Sequence, residues 1–170
     1  DGNQALAEPM DSVRKMKFFK KLIDVGYKEI EVGFPSASDT DFNFIRELIN
    51  DGHIPDDVTI QVLTQSREEL IIKTIDSLKG SKNAIIHLYN STSTLQRKVV
   101  FKEDMNGVKK IATDGAKIIS DNIGVLDNTN VRLEYSPESF TGTELPYALE
   151  VCEEVLDVWE ANELKPVIIN

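Results

Sequence analysis

The chain has 170 residues, 41% of them hydrophobic and 28% charged, the balance of a soluble globular domain rather than a disordered one. Its 29 acidic against 19 basic residues give a net charge of −10, which argues against a nucleic-acid backbone or an anionic membrane as partner. The lone Cys152 excludes an intramolecular disulfide and a multi-cysteine metal cage and fits a reducing, cytoplasmic compartment; no stretch has the pattern of a signal peptide or a membrane span.

The chain opens on "DGNQ" with neither methionine nor a lead-in strand, which suggests a piece of something longer. A helix is predicted after a cap at Asp11 or Ser12, with Met16, Phe19, Leu22 and Ile23 on one face and Gly26 as its stop. A strand follows at residues 28–34, "KEIEVGF". Ser38 then precedes a helix carrying Phe42, Ile45, Leu48 and Ile49 that ends near Gly52, and a second strand, "VTIQVLT", covers 58–64. Ser66 with Glu69 reads as a capping box before Leu70, Ile71, Ile75 and Leu78, closed by Gly80. The third strand, "NAIIHLY", spans 83–89. A longer helix from about Asp104 places Val108, Ile111, Ala112, Ile118 and Ile119 together, and the fourth strand, "VRLEYS", spans 131–136. After Thr143 a last helix presents Tyr147, Ala148, Val151, Cys152, Val155, Leu156 and Trp159, before a fifth strand, "PVIIN", at 166–170.

Strand and helix alternate throughout, which implies βα units on a parallel sheet, because parallel neighbours need a crossover connection. A doubly wound nucleotide-binding sheet should carry a glycine-rich phosphate turn, and neither GxGxxG nor GxxxxGK occurs. Strand parity is more informative. Glu29, Glu31 and Gly33 oppose Ile30 and Val32; Arg132, Glu134 and Ser136 oppose Val131, Leu133 and Tyr135. One apolar face toward helices and one mixed, partly polar face is the pattern of a barrel with a polar lumen. The prediction is therefore an α/β fold, a partial (β/α)8 TIM barrel of about five parallel strands. A complete barrel needs eight strands and about 250 residues, so strand one and the last strands fall outside 1–170, and the open edges invite self-association.

Catalytic groups of such barrels sit at the carboxyl ends of the strands. Those ends carry Asp1, Leu63 with Gln65, His87 with Tyr89, Ser136 with Glu138, and Asn170. Carboxylates and one imidazole by themselves suggest a metal-assisted enzyme only weakly.

The stretches "DGNQALAEPM", "GYKEIEVGFPSASDTDF", "PDDVTIQVLTQSREELI", "IIHLYNSTSTLQRKVVF" and "EYSPESFTGTEL" resemble the 2-isopropylmalate synthase (α-isopropylmalate synthase) family, within the metal-dependent barrels that include homocitrate and citramalate synthases. The resemblance covers nearly the whole chain. It implies an acyltransferase that condenses acetyl-CoA with 2-oxoisovalerate in leucine biosynthesis, using a divalent metal (Mg2+, Mn2+ or Zn2+), and a homodimeric parent. Residue by residue, Asp1 matches a metal ligand and Glu138 the catalytic glutamate. Leu63, His87, Ser136 and Asn170 match the wall of the pocket for the branched side chain, while Tyr89 and Gln4 match motif positions. The whole of 1–170 then belongs to the catalytic barrel. The motif arginine before Asp1, a His-x-His metal pair, a threonine holding the substrate carboxylate and a leucine-sensing regulatory domain are expected outside it, so the 170 residues alone should be inactive. A homocitrate or citramalate synthase is the alternative, and a noncatalytic barrel fragment with an assembly role the alternative from another class. A longer oxo-dicarboxylate would need a basic partner in the pocket.

Other residues have plainer readings. Glu134 should lie in the lumen and find a partner, Arg132 or Gln61, because an unpaired buried carboxylate is costly. His53 and the "PDD" at 55–57 read as surface, Cys152 and Trp159 as packing, and the basic pair Arg97–Lys98 as a solvated helical turn rather than a phosphate contact.

Overall fold

The computed structural model describes residues 2–170; Asp1 and the side chain of Gln4 lie outside that description. Five strands form one sheet in sequence order: β1 (Glu29–Gly33), β2 (Thr59–Gln65), β3 (Asn83–Ser91), β4 (Asn130–Glu138) and β5 (Val167–Ile169). All four pairings are parallel. Five α-helices of ten residues or more accompany them among the described residues: α1 (Ser12–Val25), α2 (Asp39–Asn50), α3 (Glu68–Ser77), α4 (Met105–Asn122) and α5 (Leu145–Val158). The sheet does not close on itself: β1 and β5 are its edges.

The helix starts follow from capping chemistry. The side chains of Asp11, Ser38 and Asp104 accept from the backbone N–H three residues on, at Arg14, Asp41 and Gly107. Gly26 ends α1 at φ 104°, a left-handed conformation that suits glycine. The helix after β2 departs from expectation. Its cap position is Arg67 and no side chain caps it; Ser66 Oγ instead donates to the Ile111 carbonyl of α4 at 2.5 Å. Gly115 is what lets that contact form, since a Cβ there would lie 2.0 Å from Ser66 Oγ.

Strand alternation sorts the residues as the barrel reading requires. Ile60, Val62, Ile86, Leu88, Leu133 and Tyr135 join the main core with Ile45, Leu48, Ile71, Ile75, Ala112, Ala116, Val151 and Trp159. Trp159 is fully buried, with its indole N–H donating to the Ala116 carbonyl at 3.0 Å. Phe42, expected on the core face of α2, is half-buried and lies under the Lys73 ammonium; Phe44 takes the core position. His53, expected on the surface, is half-buried.

On the other face, Arg132 at the start of β4 reaches Glu29 at the start of β1. Two strands three places apart can touch through their side chains only if that face is concave, which is the curl of a barrel. This pairing also corrects one expectation: Arg132 serves Glu29 and not Glu134. Arg97 is a second correction. It is buried, donating to the Thr92 carbonyl at 2.6 Å and to both Glu144 oxygens at 2.7 and 2.8 Å, with its guanidinium 4.8 Å from the Tyr147 ring centroid. It ties the segment after β3 to the start of α5, and neither solvation nor phosphate binding describes it.

Candidate active site

Register places the inward-facing residues in layers. Leu63, His87 and Glu134 are partners across β2, β3 and β4; one layer nearer the carboxyl ends stand Gln65, Tyr89 and Ser136, and Ser91 pairs with Glu138 beyond them. These ends open into a cleft of about 810 Å3 lined by Leu63, His87, Tyr89, Ser136 and Glu138, with Phe34 and Asp41 on the β1 side. Five predicted site residues therefore meet in one place. Asn170 joins them indirectly: its backbone N–H continues the β4–β5 ladder at Tyr135, and its side-chain amide donates to Ser136 Oγ at 3.1 Å. Asp1, the predicted metal ligand, lies outside the described residues.

His87 is buried, and both ring nitrogens are engaged. Nδ1 lies 3.0 Å from Glu31 Oε2 and 3.4 Å from Glu134 Oε1; Nε2 lies 2.6 Å from Ser136 Oγ. The Gln61 amide Nε2 also lies 3.3 Å from Nδ1, but the nearest group, the Glu31 carboxylate, can only accept and assigns the ring proton to that nitrogen. The Gln61 amide donates to Glu31 at 3.0 Å. The two carboxyls differ. Burial alone would raise Glu31, yet hydrogen bonds from His87 and then Gln61 contribute to pulling it down to about 2. Glu134 is raised, first by burial and then by the charges of Glu31 and Glu29, which outweigh the attraction of His87 and the Gln61 hydrogen bond. So Glu134 does find a partner in Gln61, as the sequence suggested, while its other neighbour is His87.

At the rim, Glu138 is exposed and ends β4. Its backbone carbonyl accepts from Thr92 N–H at 3.0 Å, which fixes the turn against the end of β3. Ser139 follows in the left-handed region at φ 59°, so the chain leaves the strand abruptly and the Glu138 side chain stays at the mouth. Burial, and then the negative charge of Glu138, raise the Tyr89 phenol, keeping its proton in place beside that carboxylate. The Tyr89 ring is braced edge-on by Phe34, with centroids 6.2 Å apart. Phe34 is in turn placed by its backbone N–H, which donates to Asp41 at 3.3 Å, and Asp41 is held by the buried Lys15.

Sequence reading missed Glu31, Phe34 and Asp41 as parts of the site. Glu31 could have been found, since it shares the inward parity of β1; Phe34 and Asp41 lie on a loop and a helix start where periodicity carries no signal. The metal needs convergent ligands. Among the described residues, the one trio of carboxylate and imidazole groups close enough to share an ion is Glu47, Asp51 and His53, around the end of α2 that faces away from the cleft. At the cleft Asp41 is committed to Lys15, and beneath it Glu31 is committed to His87 and Gln61. The described residues at the cleft thus do not complete a metal site by themselves.

No helix among the described residues is long and apolar enough to cross a membrane. Among curated proteins, the chain is 60% identical over 170 residues to a 2-isopropylmalate synthase of Renibacterium salmoninarum, 63% over 171 residues to one of Parafrankia sp. and 57% over 172 residues to one of Clostridium acetobutylicum. Each alignment takes in all of this chain but only 29%, 30% and 31% of the relative, so the chain spans about a third of the length of the relatives it matches. The HMGL-like family model matches residues 1–168. Since that match takes in all five helices and reaches into the fifth strand, the chain belongs to the HMGL-like family.

Proposed function

We propose that these residues form part of the catalytic barrel of a 2-isopropylmalate synthase, an acyltransferase that joins acetyl-CoA to 2-oxoisovalerate and releases coenzyme A. The observation that carries this reading is the convergence of Leu63, His87, Tyr89, Ser136 and Glu138 on one cleft at the carboxyl ends of β2, β3 and β4. The acetyl methyl loses a proton and its carbon attacks the oxo carbon of 2-oxoisovalerate. Water then cleaves the thioester, giving 2-isopropylmalate, coenzyme A and one proton. Glu138, exposed at the rim, is the group placed to move protons at its carboxylate, and the Tyr89 hydroxyl beside it is a donor that keeps its proton. Leu63 and the edges of His87 and Ser136 receive the branched side chain.

A divalent cation belongs to the proposal through the family resemblance, with Asp1 as one ligand; when bound it polarises the oxo group as a Lewis acid. A cation of the Mg2+, Mn2+ or Zn2+ class, a homodimeric assembly of the parent and a cytoplasmic location are parts of the same proposal, as is the inactivity of residues 1–170 on their own. Among the described residues lining the cleft, none is lysine or arginine, which disfavours the dicarboxylate substrate of a homocitrate synthase. Coenzyme A release by the full-length, metal-loaded protein should show a kcat/KM for 2-oxoisovalerate at least about tenfold above those for pyruvate and 2-oxoglutarate. A preference for 2-oxoglutarate would overturn the assignment.

A further inference from the structure

The wall offered to an apolar side chain is built largely from polar residues. His87, Ser136 and Asn170 carry between them an imidazole, a hydroxyl and a carboxamide, and a polar atom stripped of water without a partner opposes burial of a hydrocarbon group. Their hydrogen bonds remove the conflict. Asn170 donates to Ser136 Oγ at 3.1 Å, and with the ring proton held on Nδ1 the serine hydroxyl donates to His87 Nε2, 2.6 Å away. That bond requires Nε2 to be unprotonated, and therefore Nδ1 to carry the proton. Below the ring, Glu31 from β1 lies 3.0 Å from Nδ1 and takes it, while the Gln61 amide from β2, 3.3 Å from Nδ1, directs its hydrogen to the same carboxylate oxygen at 3.0 Å. Glu134 stands farther off at 3.4 Å.

We propose that Glu31 is a specificity-positioning residue: by anchoring His87 Nδ1 from inside the lumen it aims Nε2 at Ser136, so that the imidazole nitrogen and the serine hydroxyl are spent on one another and that part of the wall faces the substrate as a less polar surface. The inference rests on the reading of the cleft as a 2-oxo-acid site. Glu31 does not line the cleft; it acts through the ring. Without its carboxylate the imidazole can turn or change tautomer, and Ser136 and Asn170 then offer unpaired groups to whatever side chain enters. A substrate hydroxyl would be welcomed there and a methyl would not.

Two 2-oxo acids of nearly equal size separate these cases: 2-oxobutyrate ends in a methyl where 3-hydroxypyruvate has a hydroxyl. In the full-length, metal-loaded protein, Glu31→Ala should lower the ratio of kcat/KM for 2-oxobutyrate over 3-hydroxypyruvate by about tenfold or more. The loss should lie mainly in KM, and Glu31→Gln, whose carbonyl oxygen still accepts from Nδ1–H, should restore most of it. Independently of any variant, 15N NMR of the unmodified protein should show His87 protonated at Nδ1 and bare at Nε2. An unchanged substrate ratio in Glu31→Ala, or an Nε2-protonated His87 in the unmodified protein, would overturn the proposal. If the unmodified protein turned over no 2-oxo acid, the functional assignment would fail instead, and the NMR result would still decide the anchoring.

Discussion

Replacing Arg97 by alanine should loosen the mouth of the cleft far more than replacing its anionic partner. Arg97 is buried, and its guanidinium satisfies the buried Thr92 carbonyl at 2.6 Å while lying 4.8 Å from the Tyr147 ring centroid. Alanine leaves that carbonyl without its side-chain donor, at about 1–3 kcal/mol, and removes a desolvated cation–π contact of up to about 2 kcal/mol. Together these give roughly 3 kcal/mol, which at an m-value near 2 kcal/mol per M lowers the urea midpoint by about 1.5 M. Glu144→Gln should be much milder, because that carboxylate is already 43% exposed and water can replace the ion pair. The amides of Thr92 and Thr143 should also exchange faster in Arg97→Ala, since Thr92 Oγ1 and Thr143 Oγ1, 2.9 Å apart, join the two segments that Arg97 clamps. Equal destabilisation by the two substitutions would refute the assignment of the stabilising role to the buried cation rather than to the pair.

Gly115→Ala should destabilise by about 1–3 kcal/mol through overpacking, despite the roughly 1 kcal/mol that alanine gains in a helix, because its Cβ would lie 2.0 Å from Ser66 Oγ and 2.9 Å from Ser66 Cβ. Thermal denaturation of the Ser66→Gly/Gly115→Ala pair should recover a large part of that loss, and a strictly additive double mutant would count against the contact. Glu134→Gln should change stability in a pH-dependent way. The carboxyl of Glu134 is raised above its ordinary value of 4.5, so its neutral form fits the lumen fully at low pH and that benefit is lost as pH rises through the folded value. Melting temperatures should accordingly favour Glu134→Gln over the unmodified protein at pH 8, with the advantage fading toward pH 4; the reverse trend would show that the ionised form is preferred in the fold.

What the sequence discloses depends on how far apart the partners are. The five strands, and the caps Asp11, Ser38 and Asp104, are legible because their signals are local: alternation over a few residues, or an oxygen reaching a backbone N–H three residues on. The inward parity of β4 was sufficient to put Glu134 and Ser136 in the lumen. Ser66 misleads because a long-range acceptor, the Ile111 carbonyl, competes with the cap it could have formed. Arg97 and Arg132 mislead for the same reason, since Glu144 and Glu29 lie 47 and 103 residues away and only the folded sheet brings them close. Leu63, His87, Tyr89, Ser136 and Glu138 were identified through a family resemblance, and the fold explains their meeting by register. The role of Glu31 needs the geometry, because parity shows which way it points but not that it reaches across β2 to the ring of His87.

The central claim, that the cleft performs the condensation with Glu138 moving the proton, is tested most directly by steady-state kinetics of Glu138→Gln in the full-length, metal-loaded protein with acetyl-CoA and 2-oxoisovalerate. The amide keeps the size of the side chain and removes its capacity to take a proton, so kcat should fall by about 100-fold or more, while KM for 2-oxoisovalerate, which the proposed function assigns to Leu63, His87 and Ser136, should stay within about threefold. An undiminished kcat in Glu138→Gln would contradict the account.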